Sequence, residues 1–479
     1  MRRNERELIH IASSFFLKNC ALGVKVIRYA RQKRVMEIKP RIGYIPFSYP
    51  DYPSDLVREF VEESVKSIRG LGVNVVEARP VISFQDVDKV ISDLRGEELD
   101  LIVANLISWV EAPNVIAVLQ EFKDKPILLW SHTMFKRGGE LLTLGPLPGA
   151  GVIRETLEEM GFRFWFVWGM PWEEEVVSRI GFYARIAYAF GKLKRSRIGL
   201  LGYSSMGMYT ATFDHVSLRS SIGPEIDHLD QYMITYLFER VPDEEARKIV
   251  EKMMRDLEIG ESVSEDYLMK AAKIYLALRR LADERRWDAL TVKCQYELSR
   301  YFGFAPCVPL SMLGDELPCS CEGDVPLIVT QLMMHLLTGS TTSYGDIHMI
   351  ADDHLLVGAC GFAPFSLAKG KPKIGRHTAL YEGLLNMSVY REGRVTLARL
   401  AYERERTYKM HIATGRAVEP EPFHEVGCPP YPSMKVILDG DTRHFGQNMC
   451  SQHYAIVYDD IVEELEELCN LLNIRVVKS

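Results

Sequence analysis

The chain has 479 residues, 47% of them hydrophobic and 26% charged, which is ordinary globular composition and length for two to four domains. Its 58 basic and 65 acidic residues leave a net charge of −7, with no basic footprint for nucleic acid, and no run of 18 or more apolar residues predicts a membrane span. Nine cysteines, an odd number without any CxxC pair, read as reduced thiols of a cytoplasmic protein.

Residues 1–35 carry many Lys and Arg around a short apolar stretch, Ile9 to Val24, which His10, Ser13, Ser14, Lys18 and Asn19 interrupt. A signal peptide has a cleaner apolar core and a small-residue cleavage site. The expectation is that Met36 is the natural start, or that residues 1–39 form an extension or a surface helix. A chain begun at Met36 should then fold and oligomerise like the full one, and its precipitation or inactivity would make the extension structural.

From 40 to 195 the pattern alternates strand and helix. Arg41–Pro46, Val73–Ala78, Leu99–Leu106 and Pro126–Trp130 are apolar runs of buried-strand length, separated by helical stretches such as Ser54–Gly70. This rhythm predicts a parallel sheet covered by helices. Ligands sit beyond the carboxyl ends of such strands, which points to Phe47–Tyr52, Ser108–Glu111 and Ser131–Phe135. After a helix over Glu173–Lys194, Arg197–Leu201 opens a second α/β unit, 196–338, with helices near 229–240, 243–256 and 264–286 and a strand at Ala289–Lys293. The third unit, 339–479, has longer alternating strands at Asn386–Arg391, Val395–Glu403, Lys409–Ala413 and Met434–Leu438, which predict an antiparallel sheet or barrel. An acidic amphipathic helix, Asp459–Leu472, closes the chain. The fold class is therefore α/β, two α/β sandwich domains followed by a β-rich domain.

Three short segments could carry chemistry. Pro318–Asp324, P-C-S-C-E-G-D, places Glu322 at a turn before the helical run Val325–Leu337, where a carboxylate either faces a cavity or caps the helix. In Ser343–Asp353, S-Y-G-D-I-H-M-I-A-D-D, Asp346 and His348 share one face of a strand, and Asp352 and Asp353 are the alternatives to Asp346. A buried strand face rarely carries a carboxylate without a partner or a metal. His453 stands before the strand Tyr454–Tyr458 in a polar stretch with Gln447, Asn448 and Gln452, although a lone histidine is more often structural. Two carboxylates and one histidine suit a hard or borderline divalent ion such as Mn²⁺ or Mg²⁺. The lack of a thiolate pair at metal-ligand spacing argues against zinc.

At these residues the chain resembles the L-fucose and L-arabinose isomerase superfamily, and more the fucose branch, over roughly residues 40–479. The resemblance implies that Glu322, Asp346 and His453 bind Mn²⁺ (or another divalent cation such as Mg²⁺ or Co²⁺) at the junction of the last two domains. It also implies that Glu322 and Asp346 act as the acid/base pair. The 24-residue interval between Glu322 and Asp346 fits that pattern. The implied reaction interconverts an aldose and a ketose through a cis-enediol, because moving a carbonyl from C1 to C2 removes and returns a proton on neighbouring carbons.

Further likenesses are Met208 in the S-M-G-M segment Ser205–Met208 and Gln295 as a substrate-binding amide. Trp109 stands where these enzymes present an aromatic residue to a neighbouring subunit's sugar, although plain core packing would also explain it. Asn448 and Gln452 are candidates for sugar hydroxyls. The likeness implies a homo-oligomer, trimer or hexamer. Two departures affect sugar identity. The loop Phe47–Pro53 has no arginine, and Val357–Pro364 holds Cys360 where the arabinose enzymes have a second metal histidine. A non-catalytic sugar binder on the same scaffold and a sugar epimerase are the rival readings.

Overall fold

The structure, a computed structural model, describes residues 38–377, 382–423 and 430–479; the expectations for residues 1–35 and for a start at Met36 fall outside them. Five strands form the first sheet: β1 (Arg41–Phe47), β2 (Asn74–Glu77), β3 (Leu101–Leu106), β4 (Ile127–Ser131) and β5 (Phe164–Trp168). All pair in parallel in the order β2-β1-β3-β4-β5. Every residue of β3 and β4 is buried, as expected for strands with helices on both faces. The intervening helix Ser54–Arg69 turns Val57, Phe60, Val65 and Ile68 inward, the 3.6-residue stripe that fastens a helix to a sheet. The run F-W-F-V-W of β5 is an edge strand that the sequence reading did not mark.

The second sheet contains β6 (Arg197–Leu201), β7 (Glu225–Leu229), β8 (Ala289–Val292) and β9 (Cys319–Cys321), all parallel, in the order β9-β8-β6-β7. The carboxyl ends of β8 and β9 lie side by side. The buried helix Val325–Thr338 leaves the β9 end through the E-G-D turn.

The third unit is a closed antiparallel barrel. Its strands are β10 (Thr342–Ile350), β11 (His354–Gly358), β12 (Gly393–Tyr402), β13 (Tyr408–Val418), β14 (Ser433–Leu438) and β15 (His453–Val457). They run in the order β12-β15-β10-β11-β14-β13, and β13 pairs back to β12. A last strand, β16 (Arg475–Lys478), adds to β13 in parallel. One apolar core runs from the first sheet through the helix Glu174–Arg195 and the second sheet into one side of the barrel, and a separate cluster fills the barrel interior.

Two strand expectations change. Asn386–Arg391 is not a strand: pairing stops at Asn386, whose side-chain oxygen accepts the Ser388 N–H at 3.0 Å in an Asx turn, and the short strand Leu384–Asn386 belongs to a small separate sheet. Lys409–Ala413 extends to Val418, because Gly415 lets the Ile437 carbonyl approach where a Cβ would stand. Among the described residues no helix is long and apolar enough to cross a membrane, and the described cysteines are free thiols.

Candidate active site

The three residues singled out in the sequence come together where β8 and β9 meet the barrel. Glu322 follows β9. Asp346 on β10 and His453 on β15 are direct antiparallel partners, so the barrel register alone sets them side by side. His453 Nε2 lies 3.4 Å from Glu322 Oε2 and 3.3 Å from Asp346 Oδ1. Its Nδ1 donates to Asp324 Oδ2 at 2.8 Å, which fixes the ring and directs Nε2 at the two carboxylates. His453 is 1% exposed and Glu322 6%, while the Asp346 side chain keeps partial access to solvent.

The backbone at this point is strained. Glu322 has φ +70° and Gly323 φ +65°, and a Cβ on Gly323 would stand 2.2 Å from the Tyr203 carbonyl oxygen. Met206 (φ +52°) and Tyr296 (φ +70°) also take left-handed conformations on neighbouring loops. Each non-glycine residue of this kind costs on the order of 1–3 kcal/mol, and strain of this kind concentrates at functional sites. The Glu322 carbonyl accepts the Ser205 N–H at 2.8 Å, which ties the E-G-D turn to the loop after β6.

Electrostatics divides the two acids of the E-G-D turn. For Glu322, burial and then the neighbouring Asp346 and Asp324 charges outweigh the attraction of His453, and its carboxyl rises from an ordinary 4.5 to about 7. Burial would raise Asp324 too, but Arg399 and His453 outweigh it and hold the carboxyl at about 2. Burial would lower His453, yet Asp346, the Asp324 hydrogen bond and Glu322 together lift it to about 9.

Sequence reasoning missed Asp324 and Arg399. It weighed Glu322 as the helix-capping acid; the cap is Asp324, whose Oδ1 accepts the Leu327 N–H at 3.1 Å. Its Oδ2 also accepts Arg399 Nη1 at 2.8 Å, with both side chains fully buried, and Arg399 Nη2 reaches the Thr210 carbonyl at 2.7 Å. An acid three residues before a helical residue is the available sequence signal for the cap. Nothing local marks Arg399, which lies in mid-strand on β12.

The remaining candidates divide. Gln295 donates to Glu322 Oε1 at 2.9 Å, and its own buried Oε1 has no hydrogen-bond partner among the described residues. Gln452 Nε2 contacts Met208 Sδ at 2.6 Å, and Thr210 and Ser451 hydroxyls meet at 3.0 Å, so the S-M-G-M loop is fastened to the segment before β15. Asn448 instead donates to the His444 carbonyl of its own helix. Trp109 lies in the first unit, 38% exposed, with its N–H bonded to Leu144; among the described residues no hydrogen bond or ring contact joins it to the triad.

A register shift between Ile347 and Met349 interrupts the strand alternation at His348, whose ring comes within 3.3 Å of where a Cβ on Gly358, the cross-strand partner of Asp346, would stand and lies 5.7 Å from the Phe423 ring. Asp353 is exposed and pairs with His354. The loops beyond the first sheet gather buried hydroxyls, Ser48 to Ser108 at 2.9 Å and Ser64 to His132 at 3.0 Å, while the triad stands at the carboxyl ends of the second sheet.

Cys360, in the segment where a second histidine was looked for, donates its thiol to Glu322 Oε1 at 3.7 Å. Cys294 and Cys321 also converge on Glu322, with ligand atoms within 4.8 Å, a clustering that sequence spacing could not show. The Cys321 contact favours the Cys294 thiolate, but burial and the Glu322 charge outweigh it and push the thiol to about 12; the Cys294 contact and burial carry Cys321 well up. The oxygen, oxygen and nitrogen donors of Glu322, Asp346 and His453 fit a hard or borderline divalent ion.

No family model matches the chain. It is similar to the sulfoquinovose isomerase of Priestia megaterium, 22% identical over 449 residues that cover 90% of this chain and 97% of the relative. The enzymes of that name from Alkalicoccus urumqiensis and Clostridium sp. (strain MSTE9) are 23% and 24% identical, each over 91% of this chain and 98% of the relative. The chain is an enzyme of the isomerase class, an aldose–ketose isomerase.

Proposed function

We propose that the chain converts an aldose to its ketose by proton transfer between C1 and C2, with Glu322 and Asp346 as the acid/base pair and a divalent cation, Mn²⁺ in the first instance, held by Glu322, Asp346 and His453. The observation that carries this reading is the approach of both carboxylates to one His453 nitrogen, whose opposite nitrogen is pinned by Asp324. A cation bound there supplies positive charge for the two neighbouring oxygens of the enediol. Glu322 is a buried carboxylate placed beside Asp346 and His453, where it can take and return that proton. Gln295 fixes one of its oxygens and leaves the other facing His453 and Asp346.

The substrate we infer is a hexose carrying a sulfonate, as the names of the relatives state for those proteins. An L-fucose-like or L-arabinose-like sugar is the alternative that the triad supports. A homo-oligomer in the cytoplasm belongs to the same reading, and the exposure of Trp109 is what its role toward a neighbouring subunit requires. Incubating the purified protein with Mn²⁺, Mg²⁺ or Co²⁺ and a panel of aldoses should yield a ketose; no ketose from any of them overturns the reading.

Cation binding should depend on pH. The proton on His453, held to about 9, and the one on Glu322, held to about 7, compete with the cation for the same electron pairs. Apparent Mn²⁺ affinity should therefore rise with pH, by about tenfold per unit between 7 and 9, where one proton is displaced, and more steeply below 7. Titrations at pH 6, 7, 8 and 9 read this directly, and a flat profile would remove His453 from the ligand set.

A further inference from the structure

A cavity of about 420 Å³ opens beside the Glu322 turn, lined by the loop after β6 and by the irregular helix that follows β8. It adjoins the triad through three links: Gln295 lies between the lining residues Lys293 and Tyr296 and donates to Glu322, Ser205 binds the Glu322 carbonyl, and Gly323 presses on Tyr203. None of the chemistry above uses this cavity.

Its charges are specific. The Lys293 side chain is 2% exposed, an unusual place for an ammonium, with Nζ 2.5 Å from Glu297 and 3.8 Å from the Tyr203 ring centroid. Arg300 stacks over Tyr296 at 4.9 Å and, among the described residues, no ion pair to a carboxylate is formed by it. With Glu297 set against Lys293, the lining has one cation in excess. Ser204, Tyr203, Tyr296 and Tyr301 add hydroxyl donors. The left-handed backbone at Tyr296 and Met206, both in this lining, is the strain expected where side chains are aimed for recognition.

We propose that this cavity is the subsite for a monoanionic head group at the far end of the sugar, with Arg300 and Lys293 as its specificity-determining residues. The proposal rests on the isomerase reading above and names the part of the substrate that the triad does not touch. A guanidinium fork offers two parallel N–H donors to two oxygens of a tetrahedral anion. A single excess positive charge balances a sulfonate, which carries one negative charge, and leaves a phosphate monoester, which carries nearly two, undercompensated.

The test is equilibrium binding of three sugars to the full Mn²⁺-loaded chain: D-glucose, its 6-deoxy-6-sulfonate and its 6-phosphate. The sulfonate should bind at least about tenfold more tightly than glucose, the scale of one hydrogen-bonded charge pair, and more tightly than the phosphate. Arg300→Gln, at an exposed position that tolerates change, should collapse the sulfonate-to-glucose ratio toward one. Glu297→Gln, which adds one positive charge to the balance, should shift preference toward the phosphate. Equal affinities for sulfonate and glucose, a wild-type preference for phosphate, or a ratio untouched by Arg300→Gln would each overturn the subsite. Ketose formed from neutral aldoses together with a ratio of one sinks the subsite and leaves the isomerase standing; tight sulfonate binding with no ketose does the reverse.

Discussion

Glu322→Gln and Asp346→Asn should each lower turnover by roughly 10²–10⁴-fold or more, even when Mn²⁺ is raised until occupancy is restored. An amide can still offer an oxygen to a cation, but it is no base near neutral pH. A carboxylate that only held the ion would therefore be rescued in part by excess metal, and one that also moves the C1/C2 proton would not. Glu322 is suited to that second role because Gln295 and His453 hold both of its oxygens in place. The accompanying measurement is exchange of the substrate's C2 hydrogen in D₂O during conversion. Incorporation of deuterium marks an enediol and a carboxylate base. Full retention of the original hydrogen would mark a direct hydride shift, and would reduce Glu322 and Asp346 to ligands.

The largest effect on stability belongs to Arg399→Met. Arg399 and Asp324 are each 0% exposed, and the substitution leaves the Asp324 carboxylate buried with His453 and the Leu327 N–H but without its guanidinium. Removing one member of a buried ion pair costs about 3–5 kcal/mol, most of it the penalty of the uncompensated charge. The loss should appear as a lower denaturant midpoint with an unchanged slope. It should be accompanied by weaker cation binding, because without Arg399 the Asp324 carboxylate is held less firmly against the His453 ring; partners of this kind are worth about 10–100-fold in metal affinity. The double variant Arg399→Met with Asp324→Leu should recover part of the stability and none of the cation affinity, which separates the two roles.

The pair also sets an acid limit. Asp324 is depressed from an ordinary 3.8 to about 2, so its contribution is present above about pH 4 and disappears as pH falls through 2. Acid unfolding of the wild type should lose this contribution over that window, and Arg399→Met should show a smaller one.

The parallel sheets were legible in the sequence because strands buried on both faces are written as continuous apolar runs, and Arg197–Leu201 matches its strand to the residue. The strands that were not read, Phe164–Trp168, Glu225–Leu229 and Cys319–Cys321, are edge strands or carry polar residues, so their pairing is decided by neighbours rather than by their own pattern. Of the candidate residues, Glu322, His453 and Gln295 stand at the end of an element or beside a turn, where a polar side chain needs a reason, whereas Asp346 lies mid-strand and was singled out as a carboxylate on a strand face and by the resemblance.

What the sequence by itself determined is the alternation of α/β and all-β segments and the residue types able to bind a hard cation and move a proton. What only the tertiary structure decided is which of these meet: the β10–β15 register that sets Asp346 opposite His453, the packing of the helix Val325–Thr338 on β12 that brings Arg399 to Asp324 across 75 residues, and the cavity that joins Lys293 to Arg300 beside Glu322. The reason is physical. Local patterning records which side of a strand or helix is buried, whereas a buried charge is stabilised by a partner that the chain brings near only on folding, and that partner leaves no periodic trace in the sequence.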